Sequence, residues 1–316
     1  MFSIIIPLYN KSAYIEKAVK SVLAQTFAHF ELIIVNDGST DESVNIVQQF
    51  TDLRIRIINQ PNSGVSSARN KGINKASYDY IAFLDADDWW DKNFLEEMNN
   101  LIAEVPEAGL YGCNYIHVKN KQNRPSKVGL SEGFKFGYIN YFNTYSSTFA
   151  VPFNCSFVII KKQILLKNKG FNPNLKFGED FDLWVRIALN DKIAYLNKPL
   201  AYSNQDVDSN NRALGSKLWK PENHFIFNLD YLQAEEKTNP ILKKLLDGLR
   251  VRALIRYRLA GLYKKETNVT LQTVDFSLQP KYYQRIYQWP IVIIRLYFRY
   301  KKLGSALKQE LIKFQK

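Results

Sequence analysis

Two carboxylates two positions apart, Asp85 and Asp87 in Phe83-Leu84-Asp85-Ala86-Asp87-Asp88, are the sharpest chemical signal in this 316-residue chain. Side chains at i and i+2 of an extended segment point to the same side. A pair so placed suits a hard divalent cation, Mg²⁺ or Mn²⁺, that also takes phosphate oxygens. The plain alternative is an acidic loop capping the next helix. Asp37 stands where an apolar run meets Gly38 and Ser39. Asp-Gly is turn chemistry, whereas a ligand role would have the carboxylate accept the imide N–H of a pyrimidine base. Arg69 follows Asn62-Ser63-Gly64 near the start of a helical stretch. A guanidinium there can meet a pyrophosphate or simply face water. Glu179 and Asp180 follow Gly178. They either cap a helix against its dipole or supply a general base for a hydroxyl.

The elements that must hold these residues can be read from hydrophobic periodicity. Ser3–Pro7 is a continuous apolar run, as in a strand covered on both faces. Ala13–Gln25 carries Ile15, Ala18, Val19, Val22 and Leu23 at helical spacing. Glu31–Asn36 is a second buried strand, and Ser39-Thr40-Asp41-Glu42 reads as a capping box opening a helix to Phe50. Arg54–Asn59 and Tyr80–Leu84 read as strands, Val65–Lys75 and Lys92–Glu104 as helices. This βαβαβαβ order predicts a mostly parallel α/β sheet. Ligands bind beyond the carboxyl ends of such strands. Past the ends of the four strands stand Pro7-Leu8-Tyr9-Asn10, Asn36-Asp37-Gly38-Ser39, Asn59-Gln60-Pro61-Asn62 and Asp85-Ala86-Asp87-Asp88.

Beyond Gly109 the pattern loosens. Strands are expected over Gly109–His117, Cys155–Ile160, Ile193–Leu196 and Leu200–Tyr202, and a helix over Phe181–Leu189. The aromatic, polar stretch Phe134–Phe153 reads as a cleft wall or lid without a regular element. Tyr202–Lys220 reads as a loop and the chain from Glu222 onward as helical. Residues 1–220 are expected to form the main domain and 221–316 a helical, basic, aromatic extension.

Composition narrows the function classes. With 46% hydrophobic and 23% charged residues the chain can bury a core. Cys113 and Cys155 fit no disulfide or zinc framework, which points to a reducing cytoplasm. No basic leader opens the sequence, and no uncharged apolar stretch is long enough to span a bilayer. The net charge of +13 sits entirely in the last 76 residues. Residues 241–316 hold 17 Lys and Arg against 4 Asp and Glu, while residues 1–240 hold 26 of each. In Ile291–Leu303, Arg295, Arg299 and Lys302 form a basic stripe. Arg252 and Arg256 form another, and Tyr282, Tyr283, Tyr287 and Trp289 are interleaved. That is the composition of an interfacial helix on anionic lipid. The alternative is an extension packed on its own domain with a solvated basic face. A neutral body without a recognised reading module is not expected to bind nucleic acid.

Five motifs in order across residues 1–200 resemble the family-2 glycosyltransferases of the GT-A fold, non-processive type. They are Ile4-Ile5-Ile6-Pro7-Leu8-Tyr9-Asn10, Ile33-Ile34-Val35-Asn36-Asp37-Gly38-Ser39-Thr40-Asp41, Asn62-x-Gly64-x-Ser66-x-x-Arg69-Asn70-x-Gly72, Phe83-Leu84-Asp85-Ala86-Asp87-Asp88 and Gly178-Glu179-Asp180-x-x-Leu183-Trp184-x-Arg186. The resemblance implies that Pro7, Tyr9, Asp37, Asn62 and Arg69 surround the nucleotide with Ala86. It implies that Asp85 meets the ribose or a metal-bound water, and that Asp87 ligates Mn²⁺ or Mg²⁺ on the diphosphate. Asp180 would be the base, with Glu179 beside it and the alternative candidate. Some members use a later histidine on the metal, for which His224 is the candidate. Trp184 and Arg186 need only pack and anchor their helix.

The implied reaction is a single displacement with inversion. A UDP-sugar is expected as donor, with dTDP and GDP left open, and a hydroxyl of a glycan or lipid-linked acceptor receives the sugar in surface polysaccharide synthesis. The expected location is cytoplasmic and peripheral, on the inner face of the membrane. A processive synthase would carry spanning helices and Gln-x-x-Arg-Trp, which Gln284-Arg285-Ile286-Tyr287-Gln288-Trp289 does not match. A nucleotidyltransferase would want a Gly-rich phosphate loop where Pro7-Leu8-Tyr9-Asn10 stands. A non-catalytic sugar-nucleotide or membrane-docking module would not need Asp87 and Asp180.

Overall fold

Parallel pairing begins where the side chains are uniformly apolar. In the computed structural model, which describes residues 1–208 and 217–300, β1 (Phe2–Leu8) and β2 (Phe30–Asn36) run parallel from Phe2 opposite Phe30 to Leu8 opposite Asn36. Ile4, Ile5, Ile6, Leu32, Ile33, Ile34 and Val35 are fully buried, the burial of strands covered on both faces. Helix α1 (Ile15–Leu23) connects them. Helix α2 (Ser43–Gln48) leads to β3 (Ile55–Asn59), and α3 (Val65–Lys75) to β4 (Tyr80–Phe83). β3 pairs parallel with β2, and β4 with β1. The order β3-β2-β1-β4 therefore reverses between β1 and β4, the crevice where open α/β sheets hold ligands.

Past β4 the sheet is mixed rather than mostly parallel. Next come β5 (Trp89–Trp90), α4 (Phe94–Glu104), β6 (Leu110–Lys119), β7 (Gln122–Pro125), β8 (Phe136–Ile139) and α5 (Tyr141–Thr148). They are followed by β9 (Val158–Lys161), α6 (Lys162–Lys167), α7 (Glu179–Asn190) and β10 (Ile193–Asn204). The full order is β3-β2-β1-β4-β9-β6-β10-β5, with β7 on β6 and β8 on β10. β9 enters antiparallel to both β4 and β6. β10 is one strand where two short ones were expected. Its register against β6 shifts on either side of Pro199, which has no N–H to give the ladder.

Two further expectations fail for local reasons. Phe134–Phe153 is not irregular: it holds β8 and α5. The Asn140 side chain accepts the Asn143 N–H as N-cap, and Tyr141, Phe142 and Tyr145 turn inward at helical spacing. Ser39 does not cap α2, which starts four residues later. Its hydroxyl instead takes the Asn10 N–H, at 3.3 Å. Asp41 accepts the backbone N–H groups of Ser12 and Ser43, both at 3.0 Å. The loops after β1 and β2 are thereby tied together. The expected loop Tyr202–Lys220 lies partly outside the described residues.

Contacts divide the chain into two compact units, Met1–Phe225 and Ile226–Lys316. The second is helical in its described part: α8 (Gln233–Thr238), α9 (Pro240–Ala260), α10 (Lys264–Gln272), α11 (Lys281–Gln288) and residues 291–300. Asn239 caps α9, Pro240 occupies its first turn, and Leu242, Leu245, Leu246, Val251 and Leu254 are fully buried. Among the described residues no helix is long and apolar enough to cross a membrane.

Candidate active site

The carboxyl ends of β1, β2 and β4 carry Tyr9, Asp37, and Asp85 with Asp87, as the strand-end rule anticipated. Asp37, buried just past β2, accepts three hydrogen bonds. Oδ1 takes Gln60 Nε2 at 2.6 Å and the Ser63 N–H at 2.8 Å, and Oδ2 takes the Gly64 N–H at 2.8 Å. It thus shapes the loop that launches α3 and keeps acceptor capacity on Oδ2. Gly38 is required beside it. Its φ is +74°, and a Cβ there would stand 2.9 Å from the Asn62 nitrogen. Asn62 itself is exposed, as is Tyr9 past the end of β1, while Pro7 is half-buried within β1.

Asp85-Ala86-Asp87-Asp88 is a turn, not the extended segment anticipated. The Asp88 N–H donates to the Asp85 carbonyl at 3.0 Å, and Ala86 is buried. Ser156, ahead of β9, pins the turn. Its hydroxyl accepts the Asp85 N–H at 3.1 Å and donates to Asp88 Oδ2 at 2.7 Å. The Asn204 N–H holds Asp88 Oδ1 at 2.9 Å. Desolvation, then the nearby Asp87 and Asp85 charges, push the Asp88 carboxyl well above the usual range. Asp85 and Asp87 each hold a cationic group. Lys11 Nζ stands 2.6 Å from Asp87 Oδ2, and an Arg69 nitrogen stands 2.7 Å from Asp85 Oδ1.

Arg69 does not face water, the plain alternative of the sequence. Its side chain is 4% exposed, and its second terminal nitrogen reaches Glu179 Oε1 at 2.9 Å. One guanidinium therefore joins the acidic turn to the start of α7. It also lies 5.1 Å from the Phe171 ring centroid, a cation–π contact. Gly178 precedes α7 with φ +78°, and a Cβ there would overlap the Phe225 ring. Asp180, partly buried at the first turn, receives the Phe181 N–H at 2.7 Å. Its carboxyl is pushed up to about 7, first by desolvation and then by Glu179, while Arg69 pulls it down.

The remaining sequence candidates separate from this group. Trp184 is buried among Phe153 and Phe171. Arg186 binds Asp182 at 2.6 Å and the carbonyls of Gly170 and Asn168, so both residues anchor α7. His224 is buried in a ring stack, 4.7 Å from Phe177 and 5.2 Å from Phe225 by centroids. Among the described residues no three His, Cys, Asp or Glu side chains gather as a metal cluster, so His224 does not join Asp85 and Asp87. Sequence reasoning missed Lys11, Ser156 and the anchoring role of Asp88. Lys11 was within reach of the strand-end rule; a lone serine ahead of β9 carries no such signal.

The donor set fits a hard divalent cation. Two partly exposed carboxylates, each already holding a positive group, match the one or two that bind Mg²⁺ when substrate phosphates and waters complete its shell.

The chain matches the profile of Glycosyl transferase family 2 over residues 3–164 and belongs to that family. Glycosyltransferase GlyA of Streptococcus pneumoniae serotype 4 is 31% identical over 206 residues, 63% of this chain and 30% of GlyA. The uncharacterized glycosyltransferase EpsJ of Bacillus subtilis is 40% identical over 117 residues, 36% of this chain and 34% of EpsJ. The match spans about a third of the length of these relatives. Among solved structures, S. aureus TarS 1-349 in complex with UDP-GlcNAc superposes with a TM-score of 0.68 at 22% identity, covering 88% of this chain and 82% of that one. A mannosyltransferase from Pyrobaculum calidifontis, in complex with GDP-Man and Mn2+, gives 0.54 at 18% identity, covering 86% and 72%. This likeness shows the fold, GT-A with a helical C-terminal region.

Proposed function

We propose that the chain is an inverting, metal-dependent glycosyltransferase that moves a sugar from a UDP-sugar to a hydroxyl of a glycan or lipid-linked acceptor in surface polysaccharide synthesis. The observation that carries this reading is the Asp180 carboxyl, raised to about 7 beside a Glu179 that Arg69 links to Asp85. A base works best when its pKa lies near the working pH. Asp180 takes the acceptor proton as that oxygen attacks the anomeric carbon from the face opposite the diphosphate. One displacement needs one base and inverts the centre. Glu179, paired with Arg69, keeps the proton affinity of Asp180 high.

Asp87 and Asp85 would hold Mn²⁺ or Mg²⁺, which when bound supplies positive charge against the leaving diphosphate. Asp37 offers Oδ2 to the uracil imide; Pro7, Tyr9, Asn62 and Ala86 complete the nucleotide contacts. His224 has no ligand role in this reading. The UDP-GlcNAc bound by TarS supports a uridine donor, and the GDP-Man of the mannosyltransferase makes the base worth testing. The reaction belongs to the cytoplasm, at the inner face of a membrane that residues 241–316 contact.

Calorimetry with UDP, dTDP and GDP, with and without Mn²⁺, tests the site. The expected result is a metal-dependent preference for UDP that Asp87→Ala abolishes. Absence of binding by any nucleotide, with or without metal, would overturn the reading.

A further inference from the structure

The helical segment 291–300 has one face too many for its packing. Ile294 is fully buried against Ile255 and Ile286, with Ile291, Tyr297 and Phe298 partly buried around it. Val292, Ile293, Leu296 and Tyr300 are exposed at 63%, 49%, 60% and 80%. At 3.6 residues per turn these four share an arc of about 100° directed away from Ile294. Exposed Arg295 and Arg299 line one border of that arc. Single exposed apolar residues are ordinary, whereas four on one arc mark an interaction surface.

The basic residues of this unit divide in the same way. Arg250 forks onto Glu236 with two bonds of 2.6 Å and reaches Asp247 at 3.0 Å. Lys243 pairs with Asp247 at 2.7 Å. Arg252 donates to the Gly248 carbonyl and lies 4.9 Å over Tyr283, and Arg258 donates to the Tyr287 carbonyl. Those charges serve the interior of the unit, whereas Arg256, the other member of the stripe expected in α9, is exposed. Near the exposed apolar arc, Arg285, Arg295 and Arg299 are exposed, with Arg295 Nε donating to the Leu259 carbonyl at 3.1 Å. Lys302 and Leu303, at the end of the expected stripe, lie outside the described residues.

We propose that the exposed face of residues 291–300, flanked by Arg285 and Trp289, docks on an anionic lipid bilayer. An apolar arc bordered by Arg295 and Arg299 is the pattern of a helix that lies in the interface rather than crossing it. Aliphatic side chains enter the acyl boundary, while arginines and aromatic rings sit among the headgroups. A second copy of this chain is the poorer partner, because it would set one basic surface against another; residues 241–316 carry 17 basic and 4 acidic side chains. The inference rests on the proposed function only for the purpose of docking, since it needs neither donor nor acceptor.

The test is flotation of the full chain with vesicles of phosphatidylglycerol and phosphatidylcholine, and with phosphatidylcholine alone. Expected is binding to the mixed vesicles that salt weakens, and little binding to the neutral ones. Ile293→Glu with Leu296→Glu should reduce partitioning at least tenfold. Arg295→Gln with Arg299→Gln should reduce it about fivefold per arginine. Both variants should stay folded and bind UDP as the parent does, because the altered side chains are exposed and the one bond lost, Arg295 to the Leu259 carbonyl, lies at the surface. Failure of the parent to bind mixed vesicles, or unchanged binding by the glutamate variant, would overturn the proposal. So would a dimer of the parent that the glutamate variant dissolves. Vesicle binding without UDP binding would leave docking established and remove the catalytic reading alone.

Discussion

Replacing Asp180 by Asn removes a charge and keeps the shape, so it separates the cost of that charge from its use. In the folded chain the carboxyl is pushed from an ordinary 3.8 up to about 7, by desolvation first and Glu179 second. Between those values the folded state keeps a proton that the unfolded chain has lost. Stability therefore falls as pH rises through that window, by about 1.4 kcal/mol per pH unit, and is level above about 7. The gap sets a ceiling of about 4 kcal/mol. Partial contact with solvent lowers the expected figure to about 2 kcal/mol. Asp180→Asn has no proton to lose. It should match the parent near pH 4 and exceed it by about 2 kcal/mol near pH 8, a rise in Tm of about 4–8 °C for a unit of this size.

Nucleotide-free melts of both proteins across this range give the answer directly. Melting curves that stay parallel from acid to alkaline pH would refute the reasoning. Activity should move the other way, kcat falling by about 10²–10⁴ while UDP affinity holds. In the parent, single-turnover rates should rise with pH and level off above about 7. An active Asp180→Asn enzyme beside an inactive Glu179→Gln would transfer the base role to Glu179.

Three other perturbations probe the supports of the site. Arg69→Met leaves Asp85 and Glu179 without their shared cation. It should cost about 3–5 kcal/mol in urea unfolding and move the pH–rate rise upward, since Arg69 pulls the Asp180 carboxyl down. Lys11→Met removes the ammonium from Asp87 and should tighten Mn²⁺ binding to the nucleotide-free protein severalfold, on the order of 1 kcal/mol, as read by electron paramagnetic resonance; weaker binding would show that Lys11 does not compete for the carboxylate. Gly178→Ala forces a Cβ into the Phe225 ring at φ +78°. It should cost about 1–3 kcal/mol in a thermal melt and lower kcat more than UDP affinity, because it displaces the start of α7 rather than the nucleotide loops.

The sheet was legible up to β4 because strands buried on both faces are continuous apolar runs, and the helices between them repeat at 3.6 residues. The strand-end rule then put Asp37, Asp85 and Asp87 along one edge. Its success stopped where pairing became remote. Nothing local in Val158–Lys161 says that this strand inserts antiparallel between β4 and β6. The helix over Tyr141–Thr148 was obscured by Asn, Ser and Thr among its inward-facing aromatic residues, although its Asn140 cap was in view.

The charged groups show the same limit most clearly. Lys11 meets Asp87 across 76 residues, and Arg69 meets Glu179 across 110. Residue type names the sign of a charge, and only the fold names its partner. An arginine ordinarily faces water, and near a helix start Arg69 read either as solvated or as a ligand for a substrate pyrophosphate. Buried, it needs acids of its own, and it finds two from separate motifs. The result is that Lys11 pairs with Asp87 while Arg69 stands between Asp85 and Glu179, next to Asp180. Desolvation first, then the Glu179 charge and more weakly that of Asp85, lift the Asp180 carboxyl toward neutrality against the pull of Arg69. The base proposed at Asp180 and the cation site proposed at Asp85 and Asp87 would thus share Arg69 as the group between them.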